Sequence, residues 1–172
     1  MGLRLFHFSD KPGIEVFTPR PSRTGEALVW AVEEKYAFKY LLPRDCPRVT
    51  FWPGEHTTED DRWQLMGATD AGHVVAVEKG WIPEILACKL YRYVFDPSYF
   101  ILQDACAGYY VSDKPQIPME CDLVEDVFSV LLACDIELRI MDELWTLRDM
   151  VLASSLEYSI IRFANAAPRR DL

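Results

Sequence analysis

Basic residues are in short supply. The chain of 172 residues sets 18 Lys and Arg against 27 Asp and Glu, a formal charge of −9 at pH 7. A field of that sign repels phosphate backbones and anionic headgroups, so neither non-specific nucleic-acid binding nor membrane attachment is expected. Long apolar runs are missing too: no stretch approaches the ~18–20 residues of a membrane span. Met1 to Asp10 has Arg4 and His7 inside its apolar stretch and no small-residue cleavage site after it, so it does not read as a signal peptide. The five cysteines (Cys46, Cys88, Cys106, Cys121, Cys134) form no C-x-x-C pair of a zinc or redox site. Reduced thiols in the cytoplasm are the expectation. Equally absent are a P-loop, a G-x-G-x-x-G, a G-x-S-x-G elbow and any repeat. His56, Glu59, Asp60 and Asp61 crowd together without metal-ligand spacing and read as a solvated acidic loop, so no metal is expected.

What is present is an ordinary globular composition. Half the residues are apolar and 13% are aromatic, too much for a disordered chain. One domain over residues 1–166 is expected, with 167–172 a flexible tail. Strands are expected at Leu3–Phe8, Ala27–Val32, Arg48–Trp52, Val74–Val77, Lys89–Phe95 and Tyr109–Ser112, from alternation or β-branched content. Glu33–Leu42 reads as a helix ended by Pro43. Glu55–Ala71 reads as a polar surface excursion, and Lys79–Leu86 as a helical turn interrupted by Pro83. In the last third, Leu123–Cys134 carries apolar residues at helical spacing, Ile136–Ile140 alternates, Asp142 reads as the N-cap of a second helix, and Tyr158–Phe163 closes as a strand. Strands early and helices concentrated in the C-terminal third make the fold class α+β, with a mainly antiparallel β core.

Two stretches carry residues suited to chemistry. His7 and Ser9, two apart on the first strand, leave the same face. The bland reading is a histidine bonded to backbone. The functional reading joins it to Arg20 and Arg23 in the proline-bordered loop beyond, where guanidiniums could hold a phosphate or carboxylate. The second is Leu42-Pro43-Arg44-Asp45-Cys46-Pro47-Arg48, in which two prolines fix a backbone bearing two arginines, an acid and a thiol. It reads as a rigid corner with Asp45 paired to an arginine, as an anion pocket of Arg44 and Arg48, or as a site with Cys46 as nucleophile.

The order of these motifs resembles a small, uncharacterised bacterial family of unknown function. The residues concerned are Leu5-Phe6-His7-Phe8-Ser9, Pro19-Arg20, Trp30-Ala31, the Leu42–Arg48 corner, Val111-Ser112 and Ile161-Arg162-Phe163-Ala164-Asn165-Ala166. More distantly, the N-terminal half is similar to ADP-ribosyltransferase-like domains, and that resemblance implies their fold. It implies NAD as cofactor, with His7 on the ribose and Tyr36 or Tyr40 stacked on nicotinamide. Tyr109 stands where the catalytic glutamate of those domains falls, and a neutral phenol does not supply the charge that stabilises an oxocarbenium-like transition state. Transferase activity is then absent, or Glu120 or Asp104 substitutes, or the fold alone is shared.

The expectation is a domain that binds a nucleotide or other phosphorylated small molecule in a cleft lined by His7, Ser9, Arg20, Tyr36, Tyr40, Arg44, Arg48 and Tyr109. One alternative is a protein-interaction module using a patch around Trp52, Trp63 and Trp81. Another is a hydrolase or transferase dependent on Cys46.

Overall fold

Alternation in Leu5–Ser9 produces the first strand, β1, and the same signal produces β3 (Ala27–Glu33), β6 (Leu90–Phe95) and β8 (Tyr109–Ser112). The computed structural model describes residues 2–21 and 25–169, so Arg23 and residues 170–172 of the expected tail lie outside it. The chain folds into two compact units, Met1–Leu41 with Lys89–Val127, and Leu42–Cys88 with Phe128–Leu172.

The first unit is an antiparallel sheet. Strands β7 (Ile101–Asp104) and β9 (Glu120–Val124) complete the order β7-β8-β3-β1-β6-β9, and the short β2 (Arg20–Pro21) also pairs with β3. Register fixes the faces, because directly paired residues point the same way. Leu5 opposes Phe95, His7 opposes Tyr93, and Ala31 opposes Tyr110 on one face. Phe6 opposes Val94, Val32 opposes Tyr109, and Trp30 opposes Val111 on the other. Leu5, Val29, Ala31, Phe95 and Phe100 form the core of the first face, with Phe17 and Tyr110 packed against it.

Glu34–Tyr40 is helical as expected from its start at Glu33, but it winds as a 3-10 helix with Tyr36, Ala37, Phe38 and Lys39 all buried. Three residues per turn eclipse positions i and i+3, so Lys39 lies directly over Tyr36, with its ammonium 4.7 Å from the ring.

The second unit is built on a four-stranded sheet in the order β10 (Ile136–Met141), β5 (His73–Glu78), β4 (Arg48–Trp52), β11 (Glu157–Ile161). β10 runs parallel to β5 and the other pairs are antiparallel. Val49, Phe51, Val74 and Ala76 share one face and pack against Leu65 and Met66 of helix α1 (Glu59–Met66) and Leu147 and Val151 of helix α4 (Trp145–Ala153). Among the described residues no helix is long and apolar enough to cross a membrane.

Several sequence expectations are corrected. Helices are not concentrated at the C-terminus, since α1 and α2 (Ile82–Ala87) lie in the middle third. α1 occupies the stretch read as an excursion. Thr58 caps it by accepting from Asp61 N at 3.2 Å, and acidic residues fill the first turn, where the helix dipole favours them. The Asp61 carboxylate in turn accepts from Ser155 Oγ and Ser155 N, which holds its carboxyl below the usual range. Pro83 lies in the first turn of α2 and does not interrupt it, because the N–H it lacks has no partner there in any case. Leu123 ends in strand β9, and the helix, α3, is confined to Val127–Leu132. Asp142 does not cap α4. It pairs with Lys79, and Glu143 accepts from Trp145 N at 2.6 Å and Thr146 Oγ1 at 3.1 Å.

Candidate functional site

The sequence pointed to His7 first. β1 pairs with β3 only at Leu5↔Glu33 and Phe6↔Val32, while β2 takes up Ala27 and Leu28, so the ladder on that side of β3 is interrupted at Trp30. His7 Nδ1 donates to the Trp30 carbonyl at 2.9 Å and fills the interruption. The imidazole lies 4.8 Å from the Phe17 ring, which packs in turn on Tyr93 and Phe95. Ser9 is buried and its hydroxyl accepts from Lys11 N at 3.1 Å. Both side chains therefore take part in closing the first face of the sheet. Arg20 is exposed on β2.

The tyrosines lie on the opposite face, and there the structure brings three expected residues together around one that the sequence did not single out. Lys39 is fully buried. Its ammonium donates to the Ala107 carbonyl at 2.7 Å and stands 4.7 Å from the Tyr36 ring and 5.0 Å from the Tyr109 ring. Burial lowers its pKa to about 8, against an opposing pull from Asp104. Lys35 sits on the exposed side of Tyr36, 4.5 Å from its ring, and a hydrogen bond with the Tyr36 side chain raises its pKa.

Around this pair of cations the rings are differently available. Tyr36 is 8% exposed and packed against Gly108. Tyr40, Tyr109 and Trp30 are half-buried. Tyr109 meets Trp30 edge to face at 5.9 Å and Tyr40 at 6.3 Å. Three partly open aromatic side chains thus gather around Tyr109 beside Lys39, and Lys35 lies on the Tyr36 ring that Lys39 also contacts, in a strongly acidic protein. The only sequence signal for Lys39 was the doubled Lys-Tyr at 35–36 and 39–40, and a lysine on a short helix ordinarily keeps its head in water.

The remaining expected residues belong to the second unit. Arg48 is 2% exposed, and its guanidinium donates to the Pro43 carbonyl at 3.2 Å and the Cys46 carbonyl at 3.0 Å, holding the corner closed. Arg44 is exposed. The corner meets the other motif of the family resemblance: Asn165 Nδ2 donates to the Asp45 carbonyl at 2.8 Å, and Arg162 Nε lies 3.8 Å from Asp45 Oδ1. Beyond it, the buried Glu78 carboxylate accepts from Ala167 N with both oxygens, and Ala167 accepts from Trp145 Nε1.

The corner is not a thiol site. Cys46 is wholly buried, and burial pushes its thiol up to about 12 despite the neighbouring Arg48. Only the thiolate is nucleophilic. Iodoacetamide at neutral pH is therefore expected to leave Cys46 unmodified while labelling the exposed Cys106 and Cys121, as read by peptide mass mapping. Alkylation of Cys46 at the rate of those two would restore the nucleophile reading. The expected tryptophan patch does not form either, because Trp52 is buried with its ring against His73, leaving Trp63 exposed without it. Among the described residues no group of His, Cys, Asp and Glu could hold a metal ion.

A family of unknown function, DUF6886, matches residues 6–166. The chain belongs to this family. The span takes in both units, and with them the Lys39 cluster and the Leu42–Arg48 corner that the sequence resemblance rested on. No curated protein and no solved structure matches the chain.

Proposed function

We propose that the first unit binds a nucleotide or a related phosphorylated aromatic molecule at the Trp30–Tyr40–Tyr109 cluster. The observation that carries this reading is the meeting of three half-buried aromatic side chains at Tyr109, with Lys39 against the Tyr109 ring and Lys35 over the ring of Tyr36, which Lys39 also contacts. An aromatic ring offers a stacking platform for any base, worth ~1–3 kcal/mol per contact. An ammonium beside it supplies the charge for a phosphate. Lys35, which is exposed, is the cation that reaches the anion. Lys39, which is buried, adds a fixed positive field beneath the rings.

NAD is the first ligand to try, on the strength of the resemblance to ADP-ribosyltransferase-like domains. Of the two tyrosines that resemblance implicates, Tyr40 has a ring partly open to a ligand, whereas Tyr36 is enclosed between Lys35, Lys39 and Gly108. His7, on the opposite face, supports the sheet in this reading. Turnover is a separate matter: the reading assigns binding and no catalytic residue.

The test is calorimetric titration of the protein with NAD, ADP, adenosine and inorganic phosphate. Tyr40→Ala is expected to weaken NAD, ADP and adenosine alike by about tenfold, the loss of one stacking contact. Lys35→Ala should weaken NAD and ADP and leave adenosine unchanged, with a difference that shrinks as salt is raised. No binding of any of the four at millimolar concentration, or binding indifferent to Tyr40→Ala, would remove the site.

A further inference from the structure

Among the described residues Glu78, at the end of β5, is the only buried acid. Both of its oxygens accept from one donor, Ala167 N, at 3.0 and 3.1 Å. The other polar group of the same residue is captured as well, since Trp145 Nε1 donates to the Ala167 carbonyl at 2.8 Å. Two side chains, one from β5 and one from α4, therefore read the N–H and the C=O of a single residue. Asp149, one turn along α4 from Trp145, takes the Arg169 guanidinium at 3.0 Å. Residues 166–169, which receive these contacts, lie outside every strand and helix.

The spacing is that of a peptide site. Trp145 and Asp149 are four apart on a helix, so they share a face about 6 Å apart along its axis. Ala167 and Arg169 are two apart in an extended segment, which spans about the same distance. Ala166 has φ −63° and ψ 150°, the polyproline II conformation. Pro168 keeps its own φ in that region and biases Ala167 before it the same way. Aromatic side chains are what folded proteins present to proline-containing extended segments, whose limited freedom lowers the entropy lost on docking.

The geometry points to a peptide-binding site made of Glu78, Trp145 and Asp149, which takes an extended segment of a partner protein with a small residue, proline and a basic residue in succession, and which this chain fills with its own Ala167-Pro168-Arg169. The occupant is argued from the segment already seated there. Ala167 is half-buried under the clamp, Pro168 fixes the extension, and Arg169 meets the acid. The seat is also one that can be vacated. Ala166 and Ala167 offer no large apolar anchor, and Pro168 and Arg169 are exposed, so the ion pair contributes little. What holds the segment is the clamp on one residue, a charge-assisted bond to Glu78 and a neutral one from the indole. Opening so short a segment costs far less than unfolding the protein. An empty clamp leaves the Glu78 carboxylate without its donor, which favours exchange of one segment for another.

Fluorescence anisotropy of a dye-labelled, amidated peptide with the sequence of residues 163–169 tests this. Ala167→Pro deletes the N–H that Glu78 holds, and Ala167→Asp sets a second carboxylate beside Glu78. Each releases the segment by its own route, and either one that keeps the wild-type circular dichroism spectrum suffices. Such a variant should bind the peptide with a Kd on the order of hundreds of micromolar. The wild type should bind it about tenfold or more weakly, because its own segment competes at millimolar effective concentration. Adding Trp145→Phe, which keeps a ring against Phe163 and removes the indole donor, should weaken the released variant about tenfold. A peptide N-methylated at the Ala167 position should not bind, and one with Glu in place of Arg169 should bind several-fold more weakly at low salt. No binding to the released variants at millimolar peptide overturns the proposal. So does equal affinity for wild type and variants, or for the N-methylated or Glu-bearing peptide and the native sequence. The nucleotide reading concerns the first unit and stands or falls on its own titration.

Discussion

Replacing Lys39 by Met is expected to remove the rise in stability that a buried ammonium contributes as pH increases on the alkaline side of neutrality. The folded protein holds the Lys39 ammonium in a buried site, where its pKa falls to about 8 from 10.5. Between those two values the unfolded chain keeps a proton that the folded chain has released. Stability rises with pH wherever the unfolded state binds more protons, so the Lys39 contribution climbs through this window, while the raised thiol of Cys46 pulls the other way in wild type and variant alike. Below about pH 8 the folded state carries the full cost of a buried charge; above about pH 10.5 neither state is charged at this residue and the cost has gone. The whole window is worth roughly 3 kcal/mol, and about 2 kcal/mol of it falls between about pH 7.5 and 9.5, below the ordinary tyrosine range.

Methionine keeps the apolar stem and removes the titrating group. At neutral pH the variant is relieved of the buried charge but loses the hydrogen bond to the Ala107 carbonyl and the contacts with two tyrosine rings, and these opposing effects are each a few kcal/mol. At higher pH the relief disappears with the charge, while the loss of the hydrogen bond to Ala107 and of the packing at the end of the stem remains. Urea unfolding of both proteins at the two pH values should therefore show Lys39→Met falling behind the wild type by about 2 kcal/mol as pH rises. A difference between the two proteins that stays constant with pH would show that Lys39 does not titrate in this window.

Lys39 also marks where the sequence stops being readable. The strands that alternate in their own composition, Leu90–Phe95 above all, were legible because the period of two is a local property. β7 and β9 were not: they lie at sheet edges, where Ile-Leu-Gln-Asp and Glu-Cys-Asp-Leu-Val need bury no alternate residue. α1 was hidden by Glu-Asp-Asp-Arg in its first half, although Thr58 and the acids after it spelled a helix start. Of the site, Tyr36, Tyr40 and Tyr109 were reached through a family resemblance. That His7 and Ser9 share a face followed from parity within one strand. That Tyr109 lies on the other face depends on the registers of β1, β3 and β8, set by two successive long-range pairings, Phe6 with Val32 and Val32 with Tyr109, which no local pattern encodes. The fate of Lys39 depends on the same pairings, since its carbonyl partner and one of its two rings come from the β7–β8 connection and β8.

The tightest point of that cluster is Gly108, and Gly108→Ala is expected to be the most damaging single methyl in the first unit. Gly108 has φ +67°, and a Cβ there would press into the Tyr36 ring, 2.8 Å from Cε2 and 3.0 Å from Cγ, with Cδ2 closer still. A left-handed backbone costs an L-residue about 1 kcal/mol by itself. Gly13 measures that part alone, because it has φ +65° and nothing within 4 Å of the added Cβ. At Gly108 the ring cannot swing clear: Lys35 and Lys39 flank it, and Glu33 N donates to the Gly108 carbonyl at 2.9 Å, which pins the backbone from the other side. The clash adds several kcal/mol, for a total of roughly 3–5 kcal/mol against about 1 for Gly13→Ala. Because the excess comes from one ring, Tyr36→Ala should make Gly108→Ala much less costly in the double variant, a coupling of about 2 kcal/mol or more in a double-mutant cycle. Equal losses at Gly108 and Gly13, or additive effects with Tyr36→Ala, would mean that the close approach of Tyr36 to Gly108 is not what fixes this loop, and with it the floor of the proposed ligand site.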